Sequence, residues 1–388
     1  MSNKRIYFDY ASTTPIHSKV KKAMNDFAKN NFANPSGLYK EGVEARKVLE
    51  QSRTNIARIF GVKSDEVYFT GSGTESNNLA ILGTFNFYKG KFKPHFITSE
   101  FEHSSILETM KEIERQGGEV TYIKPQENGI VIAKDVEKAL KLNTVLVSVM
   151  YANNEIGTIQ PISEIGRVIK KYRASKKDSD DVLPYFHTDA SQAANYLTLL
   201  REALGIDMMT LDSSKFYGPK GAGILLKKNQ LEILPIIFGG GQEGGLRSGT
   251  EDVEKIFGVS LALEIAQNDR EKESERLVKL RDYFIDKVLK HFPNASLNGD
   301  IEKRLPNNIN VCFPGIDAEF TVIKLDHEGI SCSSVSACKN LSDDSSSYVI
   351  SAIGKKECAI SSLRFTLGRE TTKKDIDICI EKLNALNL

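Results

Sequence analysis

The 388 residues hold 52 Lys and Arg against 51 Asp and Glu, a formal charge of +1. So balanced a chain raises no long-range field toward nucleic acid or an anionic membrane. No apolar run approaches the ~20 residues that span a bilayer. No signal-peptide core follows Met1-Ser2-Asn3-Lys4-Arg5, and a cytoplasmic protein is expected. Five cysteines, at 312, 332, 338, 358 and 379, form a sparse, odd set without CxxC spacing. That pattern predicts neither a disulfide framework nor a metal site.

In chain order, apolar spacing predicts amphipathic helices over 17–30 and 40–60, the second with apolar Val43, Val48, Leu49, Ile56 and Ile59 at near-helical spacing. Residues 66–70 read as a strand, and 71–78, Gly-Ser-Gly-Thr-Glu-Ser-Asn-Asn, turn out of it into a helix ending near Phe87. Strands are expected at 95–98, 120–123, 145–150 and 183–188, alternating with helices at 104–116, 134–140 and 162–173. Such alternation makes βαβ units, so the fold class is α/β with a mostly parallel sheet. Another helix is expected to start near Ala190. The apolar runs 208–211 and 224–226 read as buried strands joined by a tight, glycine-rich turn. Past Thr250 a long helical stretch, 254–291, carries Leu261, Leu263, Leu277, Leu280 and Phe284 inward and could connect two lobes. A run at 309–313, helices at 319–325, 348–353 and 374–386, and a strand at 363–367 outline a smaller α+β lobe.

Chemistry collects at four places. The turn Gly71-Ser72-Gly73-Thr74 offers backbone amides at a helix N-terminus, either as an anion cup or as a plain capped turn. Asp189 ends a strand, where open α/β sheets place their ligands; it either caps a helix or pairs with a protonated ring nitrogen. Lys215, among small hydroxyl residues beside an apolar run, is either a surface lysine or an amine made nucleophilic. His103 follows another strand and either stacks on a ring or caps a helix. A phosphate cup, an aspartate and a lysine on one sheet edge make pyridoxal phosphate the economical cofactor.

The motifs extend over nearly the whole chain. They include Phe8-Asp9-Tyr10-Ala11-Ser12-Thr13-Thr14-Pro15, Phe32-Ala33-Asn34-Pro35-Ser36, Gly73-Thr74-Glu75-Ser76-Asn77-Asn78 and Asn153-Asn154-Glu155-Ile156-Gly157. They continue with His187-Thr188-Asp189-Ala190-Ser191-Gln192, Tyr217-Gly218-Pro219-Lys220-Gly221, Arg247-Ser248-Gly249-Thr250, Ser336-Ala337-Cys338 and Ser361-Ser362-Leu363-Arg364-Phe365. This ordered set resembles the cysteine desulfurases, fold-type I pyridoxal-phosphate enzymes of the class V aminotransferase family, and in particular their iron–sulfur housekeeping type.

The resemblance implies a large cofactor domain over residues 16–255, built on a seven-stranded, mostly parallel sheet flanked by helices. It implies a small α+β domain from 1–15 and 256–388 that carries the catalytic cysteine loop. It implies conversion of L-cysteine to L-alanine in a homodimer, with sulfur leaving as a persulfide on Cys338. An iron–sulfur scaffold or another sulfur acceptor would receive it, for cluster assembly or tRNA thiolation. By the same resemblance Lys215 bonds to the cofactor aldehyde and moves protons at the substrate Cα. Asp189 pairs with the pyridine nitrogen, His103 stacks on the ring, and Asn154 and Gln192 bond near the phenolic oxygen. Gly73, Thr74, Ser213 and Ser214 hold the phosphate, which Thr250 reaches from the neighbouring subunit. Asn34 and Arg364 clamp the substrate carboxylate, and Cys332 is the thiol most easily mistaken for Cys338. Other readings are a relative acting on another amino acid, as a selenocysteine lyase or aminotransferase, and a non-catalytic scaffold with a weakened cofactor site.

Four positions depart from the family's pattern. Asp212 and Ser214 stand where relatives carry serine and histidine, Val335 replaces a glycine, and Gly244 replaces an arginine. Asp212 is expected to turn away from the phosphate, with Ser213 or Ser214 donating in its place and the cofactor held more weakly.

Overall fold

The computed structural model describes residues 5–176, 183–334 and 346–386. The chain opens with β1 (Ile6–Tyr7), α1 (Ser18–Ala28) and α2 (Lys40–Phe60). Gly61 ends α2 at φ 67, a left-handed turn that costs glycine nothing. Then come β2 (Val67–Thr70), α3 (Gly73–Tyr88), β3 (His95–Ser99), α4 (Ser104–Arg115), β4 (Glu119–Ile123), α5 (Ala133–Ala139), β5 (Thr144–Ser148) and α6 (Ile162–Ser175). After these follow β6 (Tyr185–Asp189), the short α7 (Arg201–Leu204), β7 (Met208–Asp212) and β8 (Gly223–Lys227).

These strands form one seven-stranded sheet in the order β2-β8-β7-β6-β5-β3-β4. From β7 to β4 every pairing is parallel, while β8 runs antiparallel to both β7 and β2. The parallel strands therefore deliver their carboxyl ends to one edge, where open α/β sheets bind ligands. Side chains alternate across the sheet as the pleat demands. On β8, Ile224 and Leu226 pack with Ile56, Phe60 and Ile165 of α2 and α6, whereas Leu225 packs on the other side with Leu79, Ile81 and Ile106 of α3 and α4.

The rest of the chain comprises α8 (Val253–His291), β9 (Ser296–Leu297), β10 (Asn308–Cys312), α9 (Ala318–His327), β11 (Ile330–Ser331), β12 (Ser333–Ser334), α10 (Tyr348–Ala352), β13 (Ser362–Thr366) and α11 (Lys373–Ala385). A four-stranded antiparallel sheet has the order β12-β13-β10-β9, and β1 pairs in parallel with β11. The 39 residues of α8 span about 58 Å at 1.5 Å per residue. Its first half packs against α1 and α2 through the apolar cluster that includes Val259 and Leu263, and its second half packs Phe284 and Val288 into the cluster of the small sheet.

Two expectations are corrected. No helix starts at Ala190: residues 191–196 form successive turns. Asp189 caps the Ser191 amide at 2.9 Å, and Asn195 is tied to the Lys215 carbonyl at 2.7 Å. These ties, with buried Ala190, Ala193 and Ala194, hold the segment against the Lys215 turn instead of winding it into a helix. The cysteines also hold a disulfide after all, between Cys312 and Cys358, 46 residues apart. Cys312 ends β10 opposite Ser362, and the turn just before β13 carries Cys358 back to it. Linear spacing does not reveal that contact, because the strand pairing creates it. Cys332 and Cys379 are buried free thiols. Among the described residues no helix is long and apolar enough to cross a membrane.

Candidate active site

At the carboxyl edge of the large sheet lies a cavity of about 310 Å³, lined by Gly73, Thr74, His103, Asn154, Asp189, Gln192, Asp212, Lys215 and Arg364, among others. These residues come from six separate places in the chain. Parallel strand ends and the loops that follow them bring the set together.

Asp189 closes β6. Its Oδ1 accepts the Ser191 amide at 2.9 Å, and its Oδ2 accepts from Asn77 Nδ2 of α3 at 2.8 Å. Asn77 also donates to Ser105 Oγ at 2.9 Å, and Ser105 in turn meets His103 Nδ1 through its hydroxyl at 2.8 Å and its amide at 3.2 Å. One polar chain thus ties the aspartate to the histidine. Burial holds the His103 ring below its usual pKa, and the Lys215 charge acts in the same direction, while Asp189 and Asp212 oppose it. With Nδ1 accepting an amide, the neutral ring carries its proton on Nε2.

Two further titratable groups stand close by. His187 lies two residues before Asp189 on β6, between Ser148 Oγ at 2.9 Å and Thr210 Oγ1 at 3.0 Å. Burial pushes its pKa down to about 4. Glu102 is fully buried, and its pKa is pushed up to about 8 by burial, with the Asp189 charge adding. Its Oε1 accepts from Ser99 Oγ at 2.5 Å and from the Met150 amide at 2.9 Å, while Oε2 has no partner among the described residues.

Lys215 ends the one-turn helix Ser213–Lys215 that follows β7. Its Nζ donates to the carbonyls of Ala11 at 3.1 Å and Ser12 at 2.5 Å. Gln192 donates to the same Ala11 carbonyl at 2.9 Å. The buried Asn154 Oδ1 has no partner among the described residues, so an acceptor faces the cavity ready for a ligand. Lys220, the other lysine nearby, is exposed.

Arg364, on β13, reaches the cavity from the small sheet. It donates to the Asn154 carbonyl at 3.0 Å, to Ser12 Oγ at 2.8 Å and to Asp9 Oδ1 at 2.8 Å. The expected carboxylate clamp is therefore built around a carboxylate of the chain itself. Asn34 is exposed and absent from the lining, its Oδ1 accepting the Ser36 amide at 2.8 Å. Thr250 is exposed in a separate hollow with Arg247 and Lys255. Cys338 and Val335 lie outside the described residues. Gly244, at φ 61, occupies a left-handed position that an arginine would adopt only with strain.

The expectation for Asp212 is overturned. It points into the cavity, not away: Oδ2 accepts the Gly73 amide at 2.9 Å. Oδ1 accepts both the amide of Ser214, at 2.9 Å, and its hydroxyl, at 2.5 Å. Ser214 is thus spent on Asp212. Ser213 Oγ is buried without a partner among the described residues, and neither serine lines the cavity. Part of the reason is local, since an aspartate before a one-turn helix is that helix's natural N-cap, and the rest is the Gly73 amide, 139 residues earlier in the chain.

Asp9, Asn77, Ser105 and Glu102 drew no role from the sequence, although Asp9 and Asn77 stand within its motifs. Asn77 carried a usable signal, since it lies four residues after Gly73 and so on the same helix face.

Residues 6–379 match the aminotransferase class-V family. The cysteine desulfurase IscS of Dictyoglomus turgidum is 43% identical over 384 residues, 99% of this chain and 94% of that protein. The chain belongs to the cysteine desulfurases. The solved structure of a NifS-like protein superposes on this desulfurase with a TM-score of 0.90 at 32% identity, covering 99% of both chains. That of SspA in complex with cysteine does so with a TM-score of 0.78 at 34% identity, covering 93% of this chain and 98% of the other.

Members of this family are pyridoxal-phosphate enzymes. In this desulfurase the ring end of the cavity fits that group: a carboxylate on two donors, a neutral histidine, an amine and an unpartnered amide oxygen surround it. The phosphate end fits less well, because Asp212 holds the Gly73 amide.

Proposed function

We propose that the chain takes sulfur from L-cysteine, releases L-alanine and carries the sulfur as a persulfide on Cys338, with pyridoxal phosphate as cofactor. One observation supports this above the others: Lys215, Asp189 and His103, from three different chain segments, converge on a single cavity that Arg364 enters from the small sheet. The cysteine held by the similar SspA agrees with it. When bound, pyridoxal phosphate supplies an electron sink that weakens first the Cα–H bond and then the Cβ–S bond of the substrate.

The chain's own residues do the rest. The Asp189 carboxylate, fixed by Asn77 and the Ser191 amide, keeps a proton at the ring nitrogen. His103 covers a ring face, while Gln192 and Asn154 orient the phenolic oxygen. Lys215 holds and returns the proton at Cα. Arg364 presents a planar fork to the substrate carboxylate and exchanges Asp9 for it. The Cys338 thiolate attacks the substrate sulfur: an S–S bond forms, the Cβ–S bond breaks, and the carbon side keeps the electron pair and takes up a proton as the alanine methyl. Cys332 and Cys379 are poor substitutes, since burial pushes the first thiol up to about 12 and the second well above its usual range.

The proposal includes a homodimer in which Thr250, exposed here, reaches the partner's phosphate, with Gly73 and Thr74 as the phosphate turn of the same chain. It also includes an iron–sulfur scaffold or other sulfur acceptor, a cytoplasmic location, and the division into residues 16–255 and residues 1–15 with 256–388. The separate apolar clusters of the two sheets support that division. The test is to supply pyridoxal phosphate and L-cysteine to the purified protein, follow its visible absorption, and assay alanine and protein-bound persulfide. One persulfide for each alanine formed before reductant is added is the expected result. A cofactor-loaded protein that makes no alanine would turn the assignment toward selenocysteine or an amino-group acceptor.

A further inference from the structure

The phosphate end of the cavity supports a second step, which rests on the cofactor reading above. Between β2 and α3, Gly73 lines the cavity, while Gly71 lines the adjoining hollow that holds Arg247 and Thr250. Both amides are already satisfied by carboxylates of this chain: Gly71 donates to Glu75 Oε2 at 2.8 Å and Gly73 to Asp212 Oδ2 at 2.9 Å. The nearby guanidinium, Arg247, is paired with the other oxygen of Glu75 at 2.8 Å.

Asp212 is held firmly. Three donors bind its two oxygens, the Gly73 amide on one and the Ser214 amide and hydroxyl on the other. Turning it out breaks all three charge-assisted bonds at once. The approach is also close, since a Cβ on Gly73 would lie 3.0 Å from Asp212 Cβ and 3.3 Å from Oδ2. Ser213 offers no replacement, because its hydroxyl packs where a Cβ on Gly218 would fall, 2.2 Å away.

We propose that Asp212 sets cofactor specificity: its carboxylate takes the phosphate-receiving amide, so the phosphate adds little to binding and dephosphorylated pyridoxal is accepted nearly as well. Two like charges ~5 Å apart at an effective dielectric of ~20 repel by an amount equivalent to on the order of a hundredfold in affinity. That penalty falls on pyridoxal phosphate and spares pyridoxal, whose hydroxymethyl group is uncharged and can donate to a carboxylate.

The experiment is isothermal titration of the cofactor-free full chain with pyridoxal phosphate and, separately, with pyridoxal, for the unaltered protein, Asp212→Ser and Asp212→Asn. The second variant keeps the side chain's shape where the first could disturb the turn. In the unaltered protein the two dissociation constants should lie within about tenfold of each other. In both variants pyridoxal phosphate should bind roughly ten- to a hundredfold tighter, while pyridoxal changes by less than about threefold. An unchanged pyridoxal phosphate constant in Asp212→Asn, or equal tightening of both compounds, overturns the inference and leaves the cofactor reading standing. Failure of all three proteins to bind either compound overturns both.

Discussion

Asp189 and Asp212 end neighbouring parallel strands, and the fold treats them alike. Each gives Oδ1 to the amide two residues on, Ser191 in one case and Ser214 in the other, both at 2.9 Å. Each gives Oδ2 to α3, Asp189 to Asn77 at 2.8 Å and Asp212 to Gly73 at 2.9 Å, donors one helical turn apart. The two carboxylates are therefore built by the same local rules. What differs is the part of the cofactor each would meet. Beside a ring nitrogen a fixed negative charge retains a proton; beside a phosphate the same charge repels. Geometry that fixes a carboxylate does not by itself decide its use, and the group opposite does.

The largest effect should come from the amine that lines the same cavity as both aspartates. Lys215→Ala is expected to abolish turnover and any hydride-reducible linkage between protein and pyridoxal phosphate, read by intact mass after borohydride. A linkage that survives would move the role to another lysine and remove the setting in which the two carboxylates are compared. Cys338→Ser should lower alanine release by on the order of a thousandfold or more, because a hydroxyl is scarcely ionised where a thiol of pKa ~8.5 is already a few per cent thiolate. Its dissociation constant for pyridoxal phosphate should not move, which separates sulfur chemistry from cofactor binding. Persulfide found by mass spectrometry on Cys332, Cys358 or Cys379 instead would refute the assignment.

The direct comparison is Asp189→Asn against Asp212→Asn. The first should cost on the order of a hundredfold in kcat/KM, the equivalent of about two pKa units of lost ion pairing. The second should tighten the cofactor. Equal signs in the two variants would mean that the carboxylates do not face opposite ends of the ligand.

The smallest effect concerns the buried acid behind Asp189. Glu102 has its pKa raised to about 8 in the folded protein from an ordinary 4.5. Its protonated form is therefore the one the fold favours. That contribution is complete below pH 4.5 and is lost as the pH rises to about 8. His187, pushed from 6.5 to about 4, works in the other sense: its contribution is complete above 6.5 and lost as the pH falls through about 4. Glu102→Gln should flatten the alkaline fall in the urea midpoint, by roughly 1–3 kcal/mol in stability between pH 5 and 8. An unaltered pH profile would show that Glu102 is not held protonated behind Asp189.

By itself the sequence determined the βαβ alternation, the inward faces of the helices, and the placing of Gly73, His103, Asp189 and Lys215 at strand ends. Each of these is written in residues a few positions apart, as an apolar period or as turn chemistry between two strands. Which way Asp212 points was decided elsewhere. Its own turn offers the Ser214 donors, but the amide that draws it into the cavity belongs to Gly73, 139 residues earlier. Asp9 and Arg364 meet across 355 residues, and Cys312 and Cys358 across 46, only because β10 and β13 pair and the N-terminal segment lies beside them. Short-range pattern reports what a residue can do, since propensity and capping are local energies. Which charge or thiol stands opposite is a long-range contact, and only the packed sheets decide it.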